Sequence, residues 1–160
     1  MVMGHSAGGY ISACLSLIDR DRKEIGIKGA ILDYPPLRQE ISADLRKVQD
    51  PSKAISENRM LQYINWYYNS FDELDEELAS PLLADLHNLP KMLVISAEFD
   101  SLKNEEKAFA EKMKLAGGDV KYIEYSCRHG FTHECFDEFM PQEAEEAWCV
   151  MADFIKEILE

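Results

Sequence analysis

Near the start of this 160-residue chain lies Gly4-His5-Ser6-Ala7-Gly8-Gly9, a serine with glycine two positions away on each side. An apolar stub, Met1-Val2-Met3, runs into it, and Ile11, Leu15 and Ile18 follow at helical spacing. A strand end, a tight turn and a helix in that order would present the Ser6 hydroxyl at the tip of the turn, with glycines relieving the clash that side chains would cause. The first N–H groups of such a helix face any negative charge that develops beside the serine, so the Ala7 N–H is a candidate oxyanion donor. His5, on the other flank of Ser6, is a candidate for contact with the oxyanion or the substrate.

A serine hydroxyl alone is a weak nucleophile and needs a base held by a carboxylate. Asp100 follows the apolar run 92–97, where its side chain would project from the carboxyl edge of a sheet. Glu98 competes for that role but sits nearer the strand body. After Asp100 only two histidines remain, His129 and His133, and one of these is the base. Such an arrangement would make Ser6 an activated nucleophile. Blander readings stand beside it: Ser6 or Asp100 as helix N-caps, and the glycine-rich turn as a phosphate loop. The phosphate loop is disfavoured because no Lys-Ser/Thr pair follows and the GxGxxG spacing is absent. Cys127, His129, His133 and Cys135 invite a zinc reading, but they crowd too closely for two well-spaced ligand pairs, and no metal is expected.

The elements that must hold these residues alternate. Strands are expected at the stub, at 27–34 (stopped by Pro35-Pro36), at 92–97 and at 120–125. Helices are expected after Ser6, at 105–116 (ended by Gly117-Gly118) and at 142–159, where Ala147, Val150, Met151, Phe154 and Ile158 share a stripe. This predicts an α/β fold, a mostly parallel sheet of three or four strands flanked by helices in one domain spanning 1–160. The aromatic cluster from Tyr63 to Phe71 reads as core in preference to pocket.

Gly-His-Ser-Ala-Gly-Gly, Ser80-Pro81-Leu82, Leu89-Pro90, Ala97-Glu98-Phe99-Asp100-Ser101-Leu102 and His129-Gly130-Phe131 together resemble the hormone-sensitive-lipase-like esterases of the α/β-hydrolase superfamily. The resemblance implies a Ser6, Asp100, His129 triad, ester hydrolysis without a cofactor, and a helical cap-like insertion at 37–80. Two positions depart from it: Arg128 precedes the base where a smaller or neutral residue is usual, and His5 replaces a frequent acidic residue. The family's earlier strands and His-Gly-Gly oxyanion loop should precede the elbow, where three residues stand. A truncated version of the fold with impaired turnover is therefore expected, or else a catalytically silent remnant that self-associates or serves as an interaction module.

Composition bounds the partners. The formal charge is −13, with acidic clusters at 72–77, 134–138 and 143–146, so nucleic acid and anionic membranes are unsuitable and a small ester is the expected ligand. No apolar run is long enough to span a bilayer and no signal core opens the chain, which predicts a cytoplasmic protein. Four cysteines without a CxxC pair read as free thiols. A homodimer is expected, through the N-terminal stub and the helix after Ser6, because a small sheet cannot cover Ile11, Leu15 and Ile18 together.

Overall fold

The computed structural model describes residues 1–39, 52 and 54–160. Strands β1 (Val2–His5), β2 (Gly29–Asp33), β3 (Lys91–Ala97) and β4 (Val120–Tyr125) form one sheet in the order β1-β2-β3-β4, every neighbouring pair parallel. Parallel neighbours need crossovers. Helix α1 (Ala7–Arg22) carries the chain from β1 to β2, and α3 (Lys103–Leu115) carries it from β3 to β4. Between β2 and β3 lie α2 (Glu57–Tyr67) and two 3₁₀ turns, Phe71–Asp75 and Pro81–Leu83, and α4 (Pro141–Leu159) closes the described chain. Of the expected insertion at 37–80, residues 40–51 and 53 lie outside the described residues.

Side-chain alternation along the central strands assigns the two faces. Ala30, Leu32, Met92 and Val94 meet Ala13 and Leu17 of α1 and Phe109, Ala110 and Met113 of α3. Ile31, Leu93, Ile95 and Ala97 turn the other way, onto Ala147, Met151 and Phe154 of α4, so the stripe expected at 142–159 does face the sheet. Proline at the first turn of α4 and acidic residues in the first turn of α3, opposite Lys112 and Lys114 in its last, suit helix ends. The turn into β2 is held by Asp19, whose carboxylate accepts from the N–H groups of Ile25, Gly26 and Ile27; those bonds hold the carboxyl below its usual range.

Helix α1 does not turn Ile11, Leu15 and Ile18 together onto the sheet. Its sheet-facing side is Gly9, Ser12, Ala13, Ser16 and Leu17, whereas Ile11 is 48% exposed and Leu15 and Ile18 are only half-buried. Small residues are needed because the helix starts immediately beside β1: a Cβ on Gly4 would stand 2.2 Å from the Gly8 carbonyl carbon, and one on Gly9 3.0 Å from the Gly4 oxygen. The buried hydroxyls cost little, since Ser12 Oγ donates to the Gly8 carbonyl and Ser16 Oγ to that of Ser12.

Candidate active site

Because all four strands run the same way, the residues after β1, β3 and β4 meet at one edge of the sheet. Ser6 occupies the turn from β1 into α1 with φ 49° and ψ −118°, a conformation L-residues rarely adopt, and it is held there by its N–H donating to the Asp33 carbonyl at 2.8 Å. Its side chain makes no capping bond to α1, so the hydroxyl is left free to point outward. The Ala7 N–H belongs to the first turn of α1, whose amides have no partner inside the helix.

The segment after β4 brings His129 to this hydroxyl, with Nε2 2.9 Å from Ser6 Oγ. On its other side the ring meets Asp100, Nδ1 to Oδ2 at 2.5 Å. Asp100 is fully buried and its second oxygen accepts from the Leu102 N–H, so one carboxylate both caps the turn into α3 and fixes the imidazole. Glu98 instead accepts from the Ser126 hydroxyl at 2.6 Å. His133 does not approach the serine in these bonds; its ring packs edge-on against His5 at 4.1 Å, and burial together with His5 lowers its pKa. Among the described residues no group of three or more His, Cys, Asp or Glu side chains is arranged to hold a metal ion.

His5 lies away from the oxyanion position expected for it. Its Nδ1 is 2.5 Å from Asp33 Oδ2, directly across the β1–β2 register, and the same oxygen accepts from Thr132 Oγ1 at 2.7 Å. Tyr34 OH is 2.6 Å from that threonine hydroxyl. Tyr34 is fully buried, its ring 4.8 Å from that of His129, and burial beside Asp33 pushes its phenol far up. This chain of bonds ties the loop bearing His129 to the strand bearing Ser6. Composition and spacing gave no sign of Asp33, Tyr34 or Thr132; the one available signal was a charged residue ending an apolar strand just before Pro35-Pro36.

The model of a family described as alpha/beta hydrolase fold matches residues 1–133. The chain belongs to the alpha/beta hydrolase family. It is 28% identical over 149 residues to the carboxylesterase NlhH of Mycobacterium tuberculosis, covering 90% of this chain and 46% of that protein. It is 29% identical over 116 residues to an arylesterase of Saccharolobus solfataricus, covering 71% of this chain and 38% of the relative. Among solved structures, an esterase from Pyrobaculum calidifontis superposes with TM-score 0.87 at 31% identity, over 99% of this chain and 52% of the other. The thermostable carboxylesterase EstE1, cloned from a metagenomic library, gives the same TM-score at 30% identity, over 99% and 54%. The chain thus spans about half the length of the hydrolases it matches.

In this alpha/beta hydrolase chain the triad opens onto a cavity of about 820 Å³. Ser6 and His129 form its floor, and Tyr63, Trp66, Tyr67 and Tyr68 contribute to its walls. This overturns the reading of the 63–71 aromatics as core. Met60 and Ile64, buried on α2, line the same cavity, and Trp66 is 73% exposed. Tyr10, at the start of α1, donates to the Leu78 carbonyl at 2.6 Å and is met by Tyr68 OH at 3.2 Å, anchoring this wall to the elbow helix. Beneath the site, Glu106 is fully buried and neither carboxyl oxygen has a hydrogen-bond partner; the Ser96 hydroxyl is near it but outside bonding geometry. Burial, and then the charge of Asp100, push this carboxyl well above the usual range, so Glu106 is held neutral.

Proposed function

We propose that this chain carries the nucleophile, base and acid of a serine carboxylesterase. The observation that supports it most is the continuous Ser6–His129–Asp100 relay, at 2.9 and 2.5 Å. His129 Nε2 takes the hydroxyl proton as Ser6 Oγ bonds to the ester carbonyl carbon, and Asp100 steadies the imidazolium. The bond to the alcohol oxygen then breaks, His129 returns the proton to that oxygen, and water attacks the acyl-enzyme by the same route in reverse. The Ala7 N–H stabilises the oxyanion. The 37–80 segment, with α2 in it, serves as the cap that shapes the pocket for a small ester. Four free cysteines suit a cytoplasmic setting.

A fluorophosphonate probe tests this reading directly: Ser6 should be labelled in the native chain, and Ser6→Ala should not label. No labelling above that variant would overturn it.

A second reading, a self-associating module, is favoured by β1 lying at the edge of the sheet and by Ile11 exposed on the outer side of α1. It expects a dimer by light scattering at micromolar concentration, weakened by Ile11→Glu. A monomer would remove it.

A further inference from the structure

The residue immediately before the base is Arg128, and its side chain lines the same cavity as Ser6 and His129. Three charged side chains stand in that lining among the described residues: Arg59, Arg128 and Glu138. Arg59 is exposed, donates to Gln62 and lies over the Tyr63 ring at 5.9 Å. Arg128 is half-buried, and among the described residues no hydrogen bond or ion pair reaches its guanidinium, not even from Glu138. This occurs in a chain with 30 acidic residues against 17 lysines and arginines, in which Arg20 and Arg38 both pair with aspartates. An arginine left without a partner in an acidic protein, in the lining of a cavity rich in apolar and tyrosine side chains, has five donors available to a ligand.

We propose that Arg128 selects esters whose acyl chain ends in a carboxylate, binding that carboxylate while the aliphatic spacer lies against the aromatic wall and the ester carbonyl meets Ser6. The proposal rests on the esterase reading and assigns its substrate class. Planar guanidinium and carboxylate groups pair through two parallel bonds, stronger in a half-buried cavity than in water. A cation there also draws anionic esters into a protein whose net charge of −13 otherwise repels them.

The test compares 4-nitrophenyl hydrogen adipate with 4-nitrophenyl hexanoate, which share a six-carbon acyl chain and differ in the terminal carboxylate. The rate of 4-nitrophenolate release on acylation of the native chain is measured for each, with the uncatalysed rate subtracted. The adipate should be preferred, the preference should fall about tenfold in Arg128→Gln and by less in Arg128→Lys, which keeps the charge but loses the paired bonds, and 0.5 M salt should compress it. Equal preference in the native chain, or an equal fall on both esters in Arg128→Gln, would overturn the selection by Arg128 and leave the esterase reading intact. If neither ester acylates the chain and the fluorophosphonate does not label Ser6, the esterase reading itself falls, and the substrate assignment with it.

Discussion

Two His–Asp pairs sit side by side at the carboxyl edge of this sheet, and they have nearly the same geometry. His129 meets Asp100 and His5 meets Asp33, each through Nδ1 and Oδ2 at 2.5 Å, each with a fully buried carboxylate. What separates them is what lies beyond. The far nitrogen of His129 reaches a serine hydroxyl on a cavity wall, whereas the His5 ring is packed among His133, Tyr34 and Trp148. An imidazole oriented by a carboxylate is therefore common to a reactive site and a structural clamp; access and the third partner decide which it becomes.

The sharpest way to break the comparison is to exchange each histidine for glutamine. His129→Gln should slow fluorophosphonate labelling of Ser6 by about a thousandfold or more while leaving the fold intact. His5→Gln should instead lower the thermal midpoint and slow labelling by less than about tenfold. If His5→Gln abolished labelling with no loss of stability, the two pairs would not be distinct in kind.

Next in size is Thr132→Val, which keeps the shape of the side chain but leaves Asp33 Oδ2 with His5 alone and the Tyr34 hydroxyl without Thr132. With two buried groups left short of a partner, it should cost about 2–3 kcal/mol in urea unfolding. Labelling should also slow modestly, because the loop bearing His129 loses its tie to β2. No change in stability would mean that the clamp holds nothing.

The smallest effect concerns Glu106, whose buried carboxyl feels the charge of Asp100 first and that of Asp33 less. Its carboxyl is held neutral in the folded chain but titrates near 4.5 when unfolded, so the folded state binds the extra proton. Its contribution to stability is full below about that value and is lost as pH rises toward the raised folded pKa. The contribution of Glu106 to stability should thus decline as pH rises above about 4.5, and Glu106→Gln should flatten that decline, as read from urea midpoints at a series of pH values. An unchanged slope would place the titration elsewhere.

The grouping of Ser6, His129 and Asp100 was legible in the sequence and the clamp was not, for a physical reason. Ser6, Asp100 and His129 each follow a recognisable strand, and their chemical types are scarce enough that order along the chain nearly assigns them. Asp33 and Thr132 are ordinary polar residues whose meaning exists only once β1 and β2 are in register and the loop after β4 folds over them. The same limit explains α1. Hydropathy marks Ile11, Leu15 and Ile18, but the close approach at Gly4 and Gly8 demands small side chains toward the sheet, and serine carries no apolar signal. The rings of Tyr63, Trp66, Tyr67 and Tyr68 misled in the opposite sense, being large yet lining a cavity, while Phe71 is exposed.

One consequence follows from the separation of 123 residues between Ser6 and His129. Ser6 follows β1 and His129 follows β4, at opposite edges of the sheet, so their 2.9 Å approach exists only when all four strands are aligned. A one-residue slip at any junction would displace the base by roughly 3.3 Å and turn it to the other face. Covalent capture of Ser6 is thus a gauge of strand alignment, able to count correctly assembled molecules in a population where circular dichroism would record only helix and sheet.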